Sequence, residues 1–302
     1  MKLDNLVGQE NAKSVIRTLI NHCRKENEAL PHILISASQG NGKTTFAKAI
    51  ANEVESNFYS VNCASIGKFK GLFNIIDNMT EKDILFLDEI HGLTKKACES
   101  LYTILENFCY YEEGYKIDIP KITIIGASTE IGSLPIPLKS RFKFTANLVP
   151  YTEDELVEVC NNVFRDKKIQ LSKEMSKIIA RTCRGIPRNM VSRAEWIYAY
   201  LSGNNISESV DKKRVLDIIA LQGVNEDGLE ENDIKYLKLL RKNNNGISLN
   251  TISSKLNINK ENIEKLIEPY LCEKNFIEKS AGRGRTLTVE GKQYLKVLEN
   301  AN

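Results

Sequence analysis

A short apolar segment that leads into a glycine-rich loop constrains this chain most. Residues 31–35, Pro-His-Ile-Leu-Ile, precede Ala-Ser-Gln-Gly-Asn-Gly-Lys-Thr at residues 37–44. This order resembles the phosphate-binding loop G-x-x-x-x-G-K-[ST] between a strand and a helix, although Ala37 stands where the first glycine belongs. In such loops, backbone N–H groups surround phosphate oxygens, and the following helix presents its positive end to the same anion. The pattern predicts a buried strand, a nucleotide-binding loop and a helix from Lys43 to about Val54.

The polar residues of the loop have distinct predicted roles. Lys43 is expected to neutralise charge on the β- and γ-phosphates, and Thr44 is expected to ligate Mg²⁺, so ATP and Mg²⁺ are the predicted cofactors. A glycine-rich turn with a chance lysine is the plainer interpretation, and the strand-before, helix-after context argues against it. Ala37 raises a question of geometry, because a Cβ is strained if this position needs a positive φ.

Two further apolar runs end in polar residues. Residues 84–87 precede Asp88 and Glu89, and residues 122–125 lead to Thr129. Strands that alternate with helices favour a parallel sheet with helices on both faces, in which chemistry gathers at the carboxyl ends of the strands. One carboxylate can organise Mg²⁺ while its neighbour orients or deprotonates water, so we assign Asp88 to the metal and Glu89 to the water. Thr129 is placed to contact the γ-phosphate or the water, although a threonine at a strand end is more often a simple cap.

The chain changes character after residue 150. Residues 151–222 show helical periodicity without strong strand signals, and residues 223–228 are a plausible linker. Residues 230–302 suggest three short helices, a basic hairpin and a last helix, which is the order of a winged helix-turn-helix. The predicted fold is an α/β core, a helical domain and a winged-helix domain. The predicted domain bounds are 1–150, 151–225 and 226–302.

Composition excludes several classes of protein. Of the 302 residues, 42% are hydrophobic and 27% are charged, which is typical of a soluble globular chain. No apolar run approaches the ~18 residues of a membrane helix, and the first five residues lack an apolar signal core. The seven cysteines contain no Cys-x-x-Cys pair, which disfavours a zinc site or a disulfide framework and fits a reducing cytoplasm. A net charge of +3 requires any DNA contact to come from local patches.

Distinctive segments follow one another along nearly the whole chain. They are Leu6-Val7-Gly8-Gln9, Gly40-Asn41-Gly42-Lys43-Thr44-Thr45, Asp83-Ile84-Leu85-Phe86-Leu87-Asp88-Glu89-Ile90-His91, Ile125-Gly126-Ala127-Ser128-Thr129, Pro137-Leu138, Arg141-Phe142, Arg184-Gly185, Pro187-Arg188, Glu268-Pro269-Tyr270-Leu271 and Gly282-Arg283-Gly284-Arg285. In this order they resemble the RuvB family of AAA+ ATPases, the bacterial Holliday-junction branch-migration motors. The resemblance implies an AAA+ core, a helical lid, a winged-helix domain, and a six-subunit ring that translocates duplex DNA while hydrolysing ATP between subunits.

The resemblance also implies further site residues. Arg141 would reach the γ-phosphate of a neighbouring subunit and stabilise transition-state charge in trans. Arg188 would lie at the start of a helix of the second domain and would respond to the state of the bound nucleotide. Isolated arginines are otherwise mostly surface ion-pair partners. The predicted sets are Lys43, Asp88, Glu89, Thr129 and Arg141 for catalysis, Gly40, Asn41, Gly42, Lys43, Thr44, Thr45 and Arg188 for nucleotide binding, and Thr44 and Asp88 for the metal.

The chain departs from the family pattern in several places. The family's Gly-Pro-Pro before the loop glycine is Ala37-Ser38-Gln39 here, and the arginine that usually follows the third-strand threonine is Glu130. The arginine two positions before Arg141 is Lys139. The long β-hairpin that docks on the partner RuvA is reduced to residues 109–121, which are predicted to form a short hairpin with a Glu-Gly turn. This shortening puts RuvA in doubt and favours a divergent paralogue or mobile-element version with another loader or none.

Basic residues cluster around the predicted wing near the end of the chain. Lys279, Arg283 and Arg285 are the predicted DNA contacts, with Lys274 and Lys292 close by in sequence. Glycines beside the two arginines are expected to allow close approach to a phosphate backbone. No side chain obviously reads base edges, so the predicted binding is sequence-tolerant and sensitive to salt. A solvated basic hairpin is the alternative interpretation.

Three functions stay open on sequence grounds. The first is a motor that couples ATP hydrolysis to movement on branched or duplex DNA. The second is a loader or clamp-loader-like ATPase that uses the same site as a switch. The third is an ATP-dependent DNA-binding scaffold with slow or no turnover. Glu89 and Arg141 favour hydrolysis over a passive scaffold, and the shortened hairpin favours a changed partner.

Overall fold

The described part of the chain forms two compact units. The computed structural model describes residues 1–65, 70–165, 167, 169, 171–206, 210–243, 245–280 and 282–300. One unit comprises residues 1–159 with 185–189, and the other comprises residues 160–184 with 190–302. The predicted boundary between residues 225 and 226 falls inside the second unit, so the division into three domains stays a prediction.

A five-stranded parallel sheet organises the first unit, with the strand order β2-β3-β6-β1-β7. This confirms the parallel sheet expected from the alternation of strands and helices. The strands that carry the three predicted motifs are neighbours at its centre, so their carboxyl ends meet at one edge. The strands are β1 (Ile33–Ser36), β2 (Phe58–Asn62), β3 (Ile84–Asp88), β4 (Cys109–Glu112), β5 (Tyr115–Asp118), β6 (Thr123–Ser128) and β7 (Phe144–Asn147), of which β4 and β5 form a separate hairpin.

The central strands are buried on both faces because successive side chains enter two different cores. Ile33 and Ile35 of β1 join one hydrophobic cluster, whereas Leu34 between them joins the other. This two-residue alternation is the ordinary geometry of a strand, and continuous apolar runs are typical of parallel strands covered by helices. The covering helices are α1 (Glu10–Glu26), α2 (Lys43–Val54), α3 (Lys70–Ile76), α4 (Lys95–Asn107) and α5 (Ile136–Lys139). The next helix, α6 (Glu153–Phe164), begins in the first unit and ends in the second.

Helix ends follow local backbone chemistry. The helix α2 begins at Lys43, as predicted, directly after Gly42 in the left-handed conformation. The helix α1 ends at Glu26, because Asn27 adopts the left-handed conformation that closes helices. The predicted short hairpin is confirmed in β4 and β5, whose turn residues Glu113 and Gly114 have φ of 51° and 88°. Positive φ at both central residues is what a tight two-residue hairpin turn requires.

The second unit is mostly helical and ends in a small antiparallel hairpin. Ser172, Asp211 and Ser248 begin helices by accepting a hydrogen bond from a backbone N–H of the first turn. None of the described helices is long and apolar enough to span a membrane. The elements are α7 (Lys173–Arg181), α8 (Pro187–Gly203), α9 (Lys212–Ala220), α10 (Glu231–Arg241), α11 (Leu249–Leu256), α12 (Lys260–Asn262), a π-helical turn (Ile263–Ile267), α13 (Glu268–Glu273), β8 (Ile277–Ser280), β9 (Gly284–Leu287) and α14 (Val289–Asn300).

Candidate functional site

The glycine-rich loop turns tightly between β1 and α2. Gly40 has a φ of 83°, and a Cβ at this position would lie 2.6 Å from Cγ2 of Ile186, so a larger residue does not fit. Asn41 is buried, and its Oδ1 has no hydrogen-bond partner among the described residues. Ala37 is not among the residues with positive φ, and its backbone N–H donates to the Ser128 carbonyl at 3.3 Å. The missing first glycine therefore introduces no backbone strain.

Lys43 is a buried cation with loosely placed partners. Its side chain is 7% exposed, and its Nζ lies 3.4 Å from the Ala37 carbonyl oxygen and 3.5 Å from Oε1 of Glu89. Charge-assisted hydrogen bonds of this kind are usually about 2.7–2.9 Å long. A buried ammonium without a close partner fits an anion-binding role, because a buried charge needs compensation. Thr44, half-buried, and Thr45, exposed, follow it in the first turn of α2.

Glu89 is held in a strained conformation just beyond β3. Its φ and ψ are 48° and 50°, the left-handed region that non-glycine residues rarely occupy. Such strain costs about 1–3 kcal/mol and concentrates at functional sites. Its Oε1 faces Lys43, and its Oε2 accepts a hydrogen bond from Oγ1 of Thr129 at 3.2 Å. Asp88 is half-buried at the end of β3, where its Oδ1 accepts from the N–H of Glu89. The structure thus brings together the lysine, the glutamate and the threonine of the three motifs.

A histidine and a serine support this arrangement. His91 Nδ1 lies 3.0 Å from Oγ of Ser128 and 3.3 Å from Oε2 of Glu89. Ser128 is the last residue of β6, is fully buried, and also accepts a hydrogen bond from the N–H of Glu130 at 2.9 Å. Both residues belong to segments that carried the family resemblance, but neither was assigned a role from the sequence.

Residues 185–189 lie against the glycine-rich loop within the first unit. The N–H of Arg188 donates to the Gly40 carbonyl at 3.4 Å, and the Gly185 carbonyl accepts from the N–H of Tyr151 at 2.9 Å. Arg188 is exposed and lies in the first turn of α8, as its predicted position at a helix start requires. Burial raises the pKa of Tyr151, which keeps this tyrosine protonated beside the loop. The contacts bring the backbone of Arg188 to the loop, and the role of its guanidinium stays a prediction.

Arg141 lies apart from the loop and contacts helix α4. Its Nη2 is 3.0 Å from Oε1 of Glu106, and its guanidinium carbon is 4.4 Å from the ring centre of Tyr102. Its Nη1 donates to the Pro137 carbonyl at 2.6 Å, whereas its Nε is buried without a hydrogen-bond partner among the described residues. None of these partners belongs to the phosphate loop. Arg141 is therefore not a member of the site formed by Lys43 and Glu89 in the same chain.

The predicted wing is built on a buried glutamate. Glu268 is 0% exposed, and it accepts hydrogen bonds from Tyr236 Oη at 2.9 Å, Lys279 Nζ at 2.8 Å and Arg285 Nε at 2.8 Å. Burial alone would raise the pKa of Glu268, but the hydrogen bonds from Arg285, Lys279 and Tyr236 outweigh it and hold the pKa below its usual range. The side chain of Arg285 is only 18% exposed and also lies near Glu264. These groups tie the hairpin of β8 and β9 to helices α10 and α13.

This network changes the interpretation of the three predicted DNA contacts. Arg285 was expected to face DNA; its guanidinium donates to Glu268, and its role in DNA binding stays a prediction. Gly284 serves internal packing, because a Cβ there would lie 2.4 Å from the Ile247 carbonyl oxygen. Arg283 is exposed and has no ion pair within the described residues. Lys279 is 43% exposed but paired with Glu268.

Comparison with known proteins decides the family. Residues 1–148 match the family described as the Holliday junction DNA helicase RuvB P-loop domain, and residues 226–296 match the RuvB C-terminal winged helix domain. The Holliday junction branch migration complex subunit RuvB of Ehrlichia canis is 34% identical over 302 residues, covering 97% of this chain and 92% of the relative. The chain belongs to the RuvB family. The RuvB of Campylobacter fetus is 35% identical over 298 residues, covering 95% of this chain and 86% of the relative.

Solved RuvB structures agree with the fold. The Thermotoga maritima RuvB Holliday junction branch migration motor superposes with a TM-score of 0.86 at 29% identity, covering 98% of this chain and 97% of that one. The RuvB-family match confirms the predicted AAA+ core, with its parallel sheet flanked by helices, and the C-terminal winged helix. Its P-loop domain is a nucleotide-binding domain.

Sequence reasoning missed four residues that the structure places in these sites. His91 and Ser128 flank Glu89, Tyr151 lies beside the glycine-rich loop, and Glu268 anchors the wing. In the sequence, His91, Ser128 and Glu268 were members of longer RuvB-like segments without an assigned role, and Tyr151 belonged to none of these segments. Their partners are distant along the chain, so no local pattern announced the contacts. The one available signal was that His91, Ser128 and Glu268 belong to RuvB-like segments.

Proposed function

We propose that this chain is an ATP-driven DNA motor that moves duplex DNA to drive Holliday-junction branch migration. The observation that carries the proposal is the meeting of Lys43 and Glu89, 3.5 Å apart, at the carboxyl edge of the sheet in a chain of the RuvB family. Lysine at the phosphates and a carboxylate at the water are the two groups that ATP hydrolysis needs from the protein. The proposed place of action is the cytoplasm, where the thiols of the chain would stay reduced.

The residues around the loop have the chemistry to bind ATP and Mg²⁺. Backbone N–H groups between Gly40 and Lys43 would bind phosphate oxygens, and Lys43 would exchange its two long contacts for a phosphate. Thr44 and Asp88 provide the oxygen ligands that Mg²⁺ prefers. When bound, ATP supplies the phosphoanhydride bond whose hydrolysis drives the motor.

Residues of the chain itself would accept the proton and orient the attacking water. Glu89 would accept a proton from the attacking water, because its carboxylate faces the same space as Lys43. Thr129 would hold that carboxylate through its hydroxyl, which now donates to Oε2 at 3.2 Å. Arg188, next to the loop through its backbone, would contact the phosphates only after its exposed side chain turns inward. Thr45 would support the loop from the first turn of α2.

We propose a homo-hexameric ring in which Arg141 acts on a neighbouring subunit's ATP. The support is that the partners of Arg141 among the described residues, Glu106, Tyr102 and Pro137, lie outside the phosphate loop, and that its Nε is buried without a hydrogen-bond partner among them. A cationic finger supplied in trans stabilises charge in the transition state. Residues 151–225 would form the helical lid domain.

DNA would be bound through phosphate contacts at the wing. Arg283 is the strongest candidate because it is exposed and has no ion pair within the described residues. Lys279 is a second candidate, although DNA would have to compete with Glu268 for its ammonium. Phosphate contacts are insensitive to sequence and weaken with salt. We therefore propose duplex or branched DNA as the substrate, without sequence preference.

The partner that places this motor on a junction is proposed to differ from the family's RuvA. The support is the short hairpin, in which β4 and β5 have four residues each. A two-strand hairpin of this length offers little surface to dock a partner. A pull-down with RuvA tests this point, and stoichiometric retention of RuvA on the wild-type chain would contradict it. The same chain carrying the longer family hairpin is the positive control.

A branch-migration assay on a synthetic four-way junction tests the proposed function. We expect ATP-dependent conversion of the junction into duplex products, and no conversion by Lys43→Ala. DNA-stimulated ATP hydrolysis without any junction product would favour the loader alternative. ATP-dependent DNA binding without measurable turnover would favour the scaffold alternative.

A further inference from the structure

We infer that His91 is a positioning residue that holds one oxygen of Glu89 and leaves the other free to meet water. The inference deepens the proposed function and rests on Glu89 acting as the base. It assigns His91 a role through Glu89, without contact between His91 and the reacting atoms. The argument comes from the unequal partners of the two carboxylate oxygens.

The two oxygens of Glu89 are held by different groups. Oε1 lies 3.5 Å from Lys43 Nζ, whereas Oε2 lies 3.2 Å from Thr129 Oγ1 and 3.3 Å from His91 Nδ1. Lys43 is the partner that a phosphate would recruit, because its ammonium is the loop's cation. When Lys43 turns to the phosphate, Oε1 loses its partner and Oε2 keeps both of its own. Oε1 is therefore the oxygen that is released to accept a proton.

The backbone places His91 beside Glu89. Glu89 adopts the left-handed conformation and is followed by a single 3-10 turn at Ile90–Gly92. The N–H of Gly92 donates to the Glu89 carbonyl at 2.8 Å, which closes that turn. Ile90 is fully buried and fixes the turn against the core. From this turn the imidazole reaches back to the carboxylate, and its Nδ1 lies 3.3 Å from Oε2 of Glu89.

Hydrogen-bond chemistry determines where the His91 proton must lie. An ionised carboxylate only accepts hydrogen bonds, so the 3.3 Å separation between His91 Nδ1 and Oε2 of Glu89 favours a proton on Nδ1. The same N–H lies 3.0 Å from Oγ of Ser128, which is fully buried at the end of β6. We therefore infer that neutral His91 is the Nδ1–H tautomer, with its ring between the carboxylate and the buried hydroxyl, which accepts from the same N–H.

The tautomer can be read directly by nitrogen NMR on the nucleotide-free full chain, because the protein has only three histidines. Burial lowers the pKa of His32 to about 4, and its Nδ1 accepts from the N–H of Ile124 at 3.0 Å, so neutral His32 must be the Nε2–H tautomer. His22 is exposed and gives the solvent reference. At pH 8 we expect one Nδ1–H histidine, whose signal disappears in His91→Asn. An Nε2–H form at His91 would overturn the inference.

Two substitutions of His91 test whether its contribution to turnover comes from the Nδ1 donor or from the rest of the ring. The amide nitrogen of asparagine can occupy the place of Nδ1, whereas the glutamine amide reaches only to the place of Nε2. We expect His91→Gln to lower kcat by roughly 10-fold or more, the range of a misplaced general base, with the affinity for a fluorescent ATP analogue unchanged. His91→Asn should restore most of the lost turnover. Equal turnover of His91→Gln and wild type would overturn the inference.

The failures of the inference and of the proposed function can be told apart. If Glu89→Gln abolishes turnover while His91→Gln does not, Glu89 keeps its role and only the positioning role of His91 fails. If Glu89→Gln retains turnover, the proposed base itself is wrong. Should His91→Gln unfold, the tautomer measured in the wild-type chain still decides the inference.

Discussion

The ammonium of Lys43 lies 3.5 Å from Oε1 of Glu89, which joins the phosphate loop to the end of β3. The two groups come from separate sequence motifs, the glycine-rich loop and the end of the second apolar run. Lys43 is nearly buried and Glu89 is 28% exposed, so the two charges partly compensate each other across this long contact. Binding of a phosphate by Lys43 would therefore release Oε1 of Glu89, the proposed base.

Glu89→Gln should separate binding from turnover. The amide keeps the size of the carboxylate but cannot accept a proton, so we expect turnover to fall by about 10²–10⁴-fold while nucleotide affinity is retained. Steady-state ATP hydrolysis and titration with a fluorescent ATP analogue measure the two effects. Glu81→Gln, at an exposed site, is the matched control. Hydrolysis at the wild-type rate would show that Glu89 is misassigned.

The ATP hydrolysis that Arg141→Ala loses should be partly restored when this variant is mixed with Glu89→Gln, a second inactive variant. Alone, Arg141→Ala should lose about 10³-fold or more of turnover, because the trans cation is missing, while nucleotide affinity is unchanged. Glu89→Gln subunits keep Arg141 but lack the base. In rings mixed at random in equal amounts, about a quarter of sites would combine an intact base with an intact finger. Recovery of hydrolysis on mixing checks this prediction, and no recovery would argue against action in trans.

Arg283→Ala and Arg285→Ala should have different effects, although the two arginines are only two residues apart. Loss of the exposed Arg283 should weaken DNA binding and reduce the slope of log affinity against log salt by about 1. Loss of Arg285 should mainly destabilise the winged helix, because Glu268 would keep a buried charge with one partner fewer. Salt-dependent binding titrations and thermal unfolding measure these effects. If Arg285→Ala lost as much DNA affinity as Arg283→Ala and no stability, the separate roles given to the two arginines would be contradicted.

Glu268→Gln should lower stability in a manner that depends on pH. Removing this buried charge leaves Arg285 and Lys279 without their carboxylate, which should cost about 2–4 kcal/mol at neutral pH. The pKa of Glu268 lies below its usual range, so its ionised form stabilises the fold above the unfolded pKa, and this contribution is lost as pH falls through the folded pKa.

Chemical denaturation at several pH values measures this effect. The difference between wild type and Glu268→Gln should be constant from pH 6 to 8 and should shrink below about pH 4, where the unfolded carboxyl takes up its proton. Glu264→Gln is the control, because Glu264 is a half-exposed partner of the same arginine and should contribute only about 0–1 kcal/mol. An equal loss in both variants, at all pH values, would contradict the role of the buried carboxylate.

Several features were predictable because they depend on residues adjacent in the chain. The start of α2 at Lys43 followed from a glycine-rich turn, and the hairpin of β4 and β5 followed from its Glu-Gly turn. The burial of the three central strands in a parallel sheet followed from their continuous apolar runs, whereas their neighbouring positions came only from the structure. Each feature is governed by backbone conformation or by two-residue alternation, which the sequence displays directly.

Other features were not predictable because they depend on distant partners. The pattern Gly-Arg-Gly-Arg gives Arg283 and Arg285 the same apparent role, but only the fold brings a buried carboxylate to one of them. The concern about Ala37 could not be resolved from the residue type, since it depended on the backbone angle of that position. The interaction of His91 with Ser128 joins residues of two strand ends that the chain separates by an entire hairpin and helix.

The sequence by itself determined which chemical groups this protein has and the order in which they occur, because motif spacing and periodicity are local properties. It was sufficient for the phosphate loop, the two carboxylates, the parallel sheet and the winged helix. Only the tertiary structure decided which charges are neutralised by other charges. Lys43 has only long contacts and stays available to an anion, whereas Arg285 is bound to Glu268. That difference depends on which acceptors folding brings within hydrogen-bond distance, and no linear pattern records it.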